Sequence, residues 1–172
     1  MLLKNNKILK MVKGLDLHFQ IMNQEEAEEI ANNWKYDGVY SFYDFSNDIE
    51  DYMELVDKSK RLNNYFSCHY CNELIGFYTK QIQEEDLIQF GLGLKPNFTG
   101  KGYGLYYINT VMDHIVSIHG IVNFTLTVAC FNQRAINVYK KAGFIEDKKF
   151  MHCTNGGEYE FLKMTKKNIQ TF

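Results

Sequence analysis

Apolar and polar residues alternate over Leu15-Asp16-Leu17-His18-Phe19-Gln20-Ile21, the period of a strand with one buried face. A helix is expected to start at Asn23. Asn23 and Glu26 have capping-box spacing, and Glu25 and Glu26 put negative charge in the first turn, where the helix dipole favours it. Asn47 and Glu50 repeat the signature ahead of a second helix, whose Ile49, Tyr52, Met53 and Val56 fall at i, i+3, i+4 and i+7 and mark its expected buried face. An aromatic loop separates the two. Residues 65–70, 74–80 and 87–94 then read as three successive strands of an antiparallel meander, with turns at Asn72-Glu73 and at Glu84-Glu85-Asp86.

From Gly104 the pattern becomes helical: Leu105, Ile108, Met112 and Ile115 form an apolar stripe that should stop at Gly120. Val122, Phe124, Leu126 and Val128 alternate as another strand, residues 132–142 read as a helix closed by Gly143, and the tail reads as a hairpin. Its strands are 144–151 and 158–164, turning near Asn155-Gly156-Gly157. The order β-α-α-β-β-β-α-β-α-β-β implies a mixed α/β (α+β) sheet, mostly antiparallel, with helices on its faces.

Composition narrows the class. The chain has 172 residues, a single proline and no low-complexity tract, so one continuous domain over residues 1–172 is expected, with a basic, frayed start at 1–13. A chain of this size buries roughly 70% of the surface its unfolded form exposes, enough for a core without metal or disulfide staples. Nineteen Lys and Arg against 21 Asp and Glu give a net charge of -2, so nothing drives non-specific binding to nucleic acid. No apolar run approaches the ~18 residues of a membrane span, and lysines interrupt the start where a signal peptide needs a continuous apolar region. The expectation is therefore a cytoplasmic protein, monomer or homodimer, without a nucleic-acid or membrane partner. Cys68, Cys71, Cys130 and Cys153 suit reduced thiols. Cys68-His69-Tyr70-Cys71 has the spacing of zinc and redox sites, but a second ligand pair is missing and a redox motif should open a helix, so no metal is expected.

The densest chemical signal is Leu92-Gly93-Leu94-Lys95-Pro96-Asn97-Phe98-Thr99-Gly100-Lys101-Gly102-Tyr103-Gly104, running from a strand through a loop into a helix. Glycines at 100, 102 and 104 remove Cβ atoms, so main-chain N–H groups are free to converge on an anion at the helix N-terminus, and Lys101 adds a mobile cation. A dinucleotide site wants an acidic residue roughly 20 positions on, and residues 120–131 contain none. In a Walker loop, Lys95 would stand where the first glycine belongs and Gly102 where the hydroxyl belongs. Both nucleotides are disfavoured.

These residues resemble the GNAT superfamily of N-acetyltransferases. Leu92 to Pro96 followed by Thr99 to Gly104 is similar to its motif A, a strand ending Leu-x-Val-x-Pro and then Arg/Gln-x-x-Gly-x-Gly/Ala. Asn132-Gln133-Arg134-Ala135-Ile136-Asn137-Val138-Tyr139-Lys140-Lys141-Ala142-Gly143-Phe144 is similar to its motif B. The resemblance implies a sheet splayed at its central strands and acetyl-CoA as co-substrate. It assigns Leu92, Gly93 and Leu94 to the pantetheine arm, Thr99, Gly100, Lys101, Gly102, Tyr103 and Gly104 to the pyrophosphate, and Asn132 to the arm from the far side. Thr99 stands where the family has Arg or Gln, which predicts altered rather than abolished affinity, because main-chain amides carry most of the contact.

Acetyl transfer to an amine needs a neutral nucleophile, a donor for the developing oxyanion and a proton for the leaving thiolate. By resemblance, a main-chain N–H near Leu94 is the donor and Tyr139 the general acid. A base is harder to find. Ile88, Gln89, Phe90 and Gly91 carry no carboxylate, which leaves Asp86 or Asp44 acting through water, while His69, His114 and His119 read as ordinary histidines. The loop holding Trp34, Tyr36, Tyr40, Tyr43 and Asp44 takes the acceptor pocket's place, with aromatic walls and a carboxylate to attract a cationic amine. The expected function is N-acetylation of a primary amine. The alternatives are a non-catalytic acyl-CoA sensor and, less favoured, an enzyme using longer acyl chains or a hydroxyl acceptor.

Overall fold

The computed structural model describes residues 16–168, so the expected frayed start at 1–13, and Leu15, fall outside the described residues. The strands are β1 (His18–Ile21), β2 (Tyr65–Tyr70), β3 (Glu73–Glu84), β4 (Leu87–Leu94), β5 (Asn123–Ala129), β6 (Ile145–Thr154) and β7 (Gly157–Lys166). They form one seven-stranded sheet in the order β1-β2-β3-β4-β5-β7-β6. Every neighbouring pair is antiparallel except β4 and β5. The helices are α1 (Gln24–Asn33), α2 (Ile49–Val56), α3 (Lys58–Arg61), α4 (Gly104–His119) and α5 (Gln133–Lys141), with 3-10 turns at Gly38–Tyr43, Phe45–Asn47 and Pro96–Phe98. The expected mixed, mostly antiparallel architecture is therefore the observed one.

Two cores divide the helices between them. Tyr107, Ile108, Val111, Met112 and Ile115 of α4 and Ile136 of α5 pack with Tyr78, Ile88, Phe90, Phe124 and Leu126. Ala27, Ile30 and Ala31 of α1 and Leu55 of α2 pack with Trp34, Tyr65 and Phe77. Tyr78 and Phe77 are successive residues of β3, and strand alternation sends them to opposite sides of the sheet. Burying such rings supplies roughly 1.5–3 kcal/mol each, which is what fixes the strand register.

Local chemistry explains the element ends. Asn23 and Glu26 form a reciprocal capping box: Glu26 N–H donates to Asn23 Oδ1 (2.9 Å) and Asn23 N–H to Glu26 Oε2 (3.0 Å). Glu26 is also nearly buried, and its carboxylate accepts from Ser67 Oγ (2.7 Å) and Gln20 Nε2 (2.8 Å) and lies 2.9 Å from His69 Nε2. The β2–β3 turn sits one residue earlier than expected, at Cys71-Asn72, where both residues have positive φ as a two-residue hairpin turn demands. Cys68 is buried and Cys71 exposed.

The second helix departs from its expectation. Its N-cap is Asp48, not Asn47, and the residue it buries is Leu55. Ile49 and Met53, on the anticipated apolar face, are 71% and 44% exposed. A helix of two turns is positioned by what caps and anchors it, and the Asp48 carboxylate with Leu55 outweighs the periodic stripe. No helix among the described residues is long and apolar enough to cross a membrane.

Candidate functional site

Strands β4 and β5 pair only through Leu87, Ile88 and Gln89 against Asn123, Phe124 and Thr125. β4 runs on to Leu94 beside β3, and β5 to Ala129 beside β7, so each keeps its outer partner and loses its inner one. The result is a wedge-shaped gap in the sheet. Lys95 N–H donates to Ile75 C=O (2.8 Å), and antiparallel alternation then turns the Gly93 amide toward Phe77. Leu92 and Leu94 consequently direct their N–H and C=O groups into the gap. Gly93 serves differently: a Cβ there would lie 2.4 Å from Phe77 Cε1, so the bare glycine lets that ring pass.

The glycine loop closes the mouth of this gap. Gly100 and Gly102 have φ of 71° and 88°, the left-handed region in which a side chain is strained. Gly104 has a different role from the one its sequence position suggests. It is the first residue of α4, and a Cβ there would meet Val138 Cγ2 at 3.3 Å, so this glycine lets α4 and α5 approach. The other four α-helices are each capped by a side chain, from Asn23, Asp48, Asp57 or Asn132, whereas Tyr103 at the α4 N-cap offers none. The first-turn N–H groups of α4 are thus open to an external anion. Thr99 is turned inward, its Oγ donating to Pro96 C=O (2.9 Å). Lys101 is exposed, while Lys95 is committed to Glu29 (3.2 Å) and Glu73 (3.6 Å).

Two phenols and an amide gather beyond the last residue of β5. Asn132 caps α5 by accepting from Ala135 N–H (3.1 Å), and its Nδ2 donates to Tyr43 Oη (3.1 Å). Tyr139 lies close enough that a Tyr43 phenolate would disfavour its own ionisation. Burial is the larger effect, and together they hold the Tyr139 phenol well above the usual tyrosine range. Burial raises Tyr43 too, opposed by the Asn132 hydrogen bond. Both are neutral O–H groups at physiological pH.

The aromatic segment spans the gap. Tyr36 Oη donates to Leu94 C=O (2.9 Å) on the β4 side, while Tyr43 holds Asn132 on the β5 side. Asp44 is 8% exposed and accepts from Tyr36 N–H (2.9 Å). Burial and that neighbouring carboxylate push the Tyr36 phenol well above its ordinary range. Trp34 does not wall a pocket: at 2% exposed, it packs into the core against Phe77. Tyr40 lies under the guanidinium of Arg134, whose Cζ is 4.0 Å from the ring centroid. A cavity of about 370 Å³ opens here, walled by Tyr36, Tyr40, Pro96, Thr99 and Arg134. A second, of about 500 Å³, lies between Ser41, Phe42, Phe131, Asn155 and Tyr159, where Asn155 Nδ2 ties the β6–β7 hairpin to Phe42 C=O (2.7 Å).

Two groups considered as bases from the sequence are separated by this geometry. Asp86 precedes β4 and accepts from Asn123 Nδ2 (2.9 Å), roughly 25 Å from Leu94 at ~3.3 Å per residue, so it does not reach the gap. Asp44 belongs to the aromatic segment that spans the gap, its carboxylate buried and held by Tyr36 N–H. Sequence reasoning missed Arg134, although a cation in the first turn of a helix, where the dipole opposes it, is itself a signal. It placed the β6–β7 turn near Asn155 but missed its contact with the aromatic segment, for which no local signal exists.

The family model described as acetyltransferase (GNAT) family matches residues 22–144. No curated protein matches significantly in sequence. Among solved structures, a spermidine N-acetyltransferase SpeG chimera from Vibrio cholerae and hSSAT superposes with a TM-score of 0.71 at 20% identity, over 88% of this chain and 95% of that one. The Vibrio cholerae spermidine N-acetyltransferase in complex with CoA and spermine gives 0.67 at 21% identity, over 87% and 94%. A GNAT-family acetyltransferase from Bacillus anthracis gives 0.65 at 15% identity, over 88% and 95%. At these identities the likeness is one of fold.

Proposed function

The chain belongs to the acetyltransferase (GNAT) family, and on that premise we propose that it is an N-acetyltransferase, moving the acetyl group of acetyl-CoA to a primary amine by direct attack. The observation that carries this reading is the parting of β4 from β5 beyond Gln89, with a glycine loop and an uncapped helix N-terminus at its mouth. The residues present fit the coenzyme. Leu92 and Leu94 offer main-chain donors and acceptors to an amide-bearing arm, and the amides from Gly100 into α4 suit its diphosphate. Acetyl-CoA, when bound, supplies an activated thioester.

The chain's own groups then supply three functions. The Leu94 N–H, aimed into the gap, is placed to stabilise charge developing on the carbonyl oxygen, a contribution typically of ~3 kcal/mol. Tyr139 gives its proton to the departing sulfur as the C–S bond breaks and the N–C bond forms. A lysine-like amine of pKa ~10.4 is only about 0.1% neutral at pH 7.4, so its proton must be removed. The buried Asp44 carboxylate, in the aromatic segment beside Tyr36, attracts the ammonium and receives that proton through water. The spermidine N-acetyltransferases among the structural neighbours make polyamines the first acceptors to try.

A second reading, a non-catalytic acyl-CoA sensor, draws on the Leu94 C=O already engaged by Tyr36 and on the absence of a carboxylate from β4. Thiol release from acetyl-CoA across a panel of polyamines, amino acids and peptide amines separates the two. Turnover with any amine establishes the transferase; tight coenzyme binding with no turnover across the panel leaves the sensor.

A further inference from the structure

We propose that Arg134 is the side-chain anchor for the diphosphate of the coenzyme, held for that task by the ring of Tyr40. The inference rests on the coenzyme reading above and adds a residue to it. Arg134 sits in the first turn of α5, where the helix dipole opposes a cation. No carboxylate offsets this, since the ion pairs among the described residues involve other side chains. Instead the guanidinium stacks on Tyr40 at 4.0 Å, which restrains it by cation–π attraction and leaves its in-plane N–H donors unconsumed.

The direction of the side chain identifies what those donors meet. Nη1 lies 3.6 Å from where a Cβ of Gly100 would be, so the guanidinium edge lies against the left-handed turn of the glycine loop. The cavity of about 370 Å³ that Arg134 lines is also walled by Thr99, Pro96, Tyr36 and Tyr40, with Asp37 on its lining. Thr99 donates its hydroxyl proton to Pro96 C=O and so has no donor for an anion. A planar fork beside a main-chain anion cradle matches a phosphate oxygen pair, and it lines the same cavity as Thr99. A cation reaching in from α5 thus supplies the charge that position 99 lacks.

Titration calorimetry on the full chain, with CoA and with 3′-dephospho-CoA as the two probes, tests this. R134A should weaken both ligands about tenfold to a hundredfold, the usual range for a lost charge-assisted pair, with an unchanged melting temperature. R134K, which keeps the charge but loses the fork, should weaken both at least threefold and stands in should R134A fold poorly. Wild-type affinity in both variants overturns the proposal while leaving the coenzyme reading intact. A loss for CoA but not for 3′-dephospho-CoA also overturns it, because Arg134 would then read the 3′-phosphate. If the wild-type chain binds neither probe, the coenzyme reading itself fails and takes this inference with it.

Discussion

The two sides of the gap are built from different materials. On the proposed donor side the exposed surface is main chain: the inward-turned amides of Leu92 and Leu94, the left-handed glycines 100 and 102, and the uncapped start of α4. On the proposed acceptor side it is side chain: Tyr36, tied to Leu94 C=O, and Tyr40, Phe42 and Tyr43 on a short 3-10 turn that Asn155 of the distant β6–β7 hairpin pins at Phe42 C=O. A main-chain surface tolerates few residue types but hardly depends on which apolar side chains surround it. A side-chain surface is free to change with its substrate. In the proposed reading, the contrast accounts for a coenzyme half whose motifs, at residues 92–104 and 132–144, are readable in the sequence and an acceptor half, at residues 34–45, that carries no such motif although the family model spans both.

The largest test of this contrast is steric. Tyr107 of α4 donates to Phe77 C=O (2.8 Å) and ties the helix to the donor-side strands. It passes because Gly76, opposite Leu94, has no side chain: a Cβ there would fall 2.5 Å from Tyr107 Oη. Gly76→Val should therefore cost about 3 kcal/mol by overpacking, with the buried Tyr107 hydroxyl displaced from its acceptor, Phe77 C=O. For a domain of this size the expected drop in melting temperature is of the order of 10 °C. Melting within 2 °C of wild type would show that the donor side yields, against the rigid main-chain scaffold argued for it.

Chemistry at the junction of the two sides gives the next effect. Tyr139→Phe should lower kcat at least tenfold, about 1.4 kcal/mol, and leave acetyl-CoA affinity within twofold. The raised phenol pKa also fixes the pH profile: Tyr139 keeps its proton throughout the accessible range, so kcat/KM should climb as the acceptor amine deprotonates and show no descending limb up to pH 10. A descending limb centred near 8 in the wild type, absent from the Phe variant, would mean that the phenol is not shielded as its burial implies.

Legibility in the sequence follows the same division. β2 and β4 fall where the strand pattern puts them, and α4 runs from Gly104 to its Gly120 C-cap, because alternation, helical period and cap residues act over a few neighbours. Asn132 and Tyr139 are singled out by resemblance to a family motif rather than by any local pattern, and the structure sets Asn132 on Tyr43 with Tyr139 close by. Ile49 and Met53 were misjudged because only tertiary packing decides which face of a two-turn helix is buried. Trp34 looked like a pocket wall because nothing local reveals that Phe77 covers it. Arg134 over Tyr40, Asn132 on Tyr43 and Asn155 on Phe42 join residues 89 to 113 apart or packed from separate elements, and no local pattern encodes such pairs.

The smallest effect should be confined to the acceptor side. The Asp48 carboxylate caps α2 through Glu50 N–H (3.0 Å) and Asp51 N–H (3.2 Å) and also accepts from Thr154 Oγ and Asn155 N–H at the hairpin tip. Asp48→Ala removes both functions and should cost about 1 kcal/mol, typical of a lost cap, or a few degrees of melting temperature. Asp48→Asn keeps the cap, since its oxygen still accepts, but presents an N–H₂ to the hairpin's donors. The hydrogen bond from Thr154, foremost, holds the Asp48 carboxyl below the ordinary carboxylate range. A folded pKa lower than the unfolded one stabilises fully above about pH 4 and loses that contribution as pH falls through the lowered value. Melting curves between pH 2.5 and 6 should therefore steepen for wild type relative to Asp48→Asn at the acid end. In both variants KM for the amine should rise severalfold with acetyl-CoA affinity unchanged. A matching loss of coenzyme affinity would mean that the two sides are one mechanical unit and that their contrast in materials has no functional counterpart.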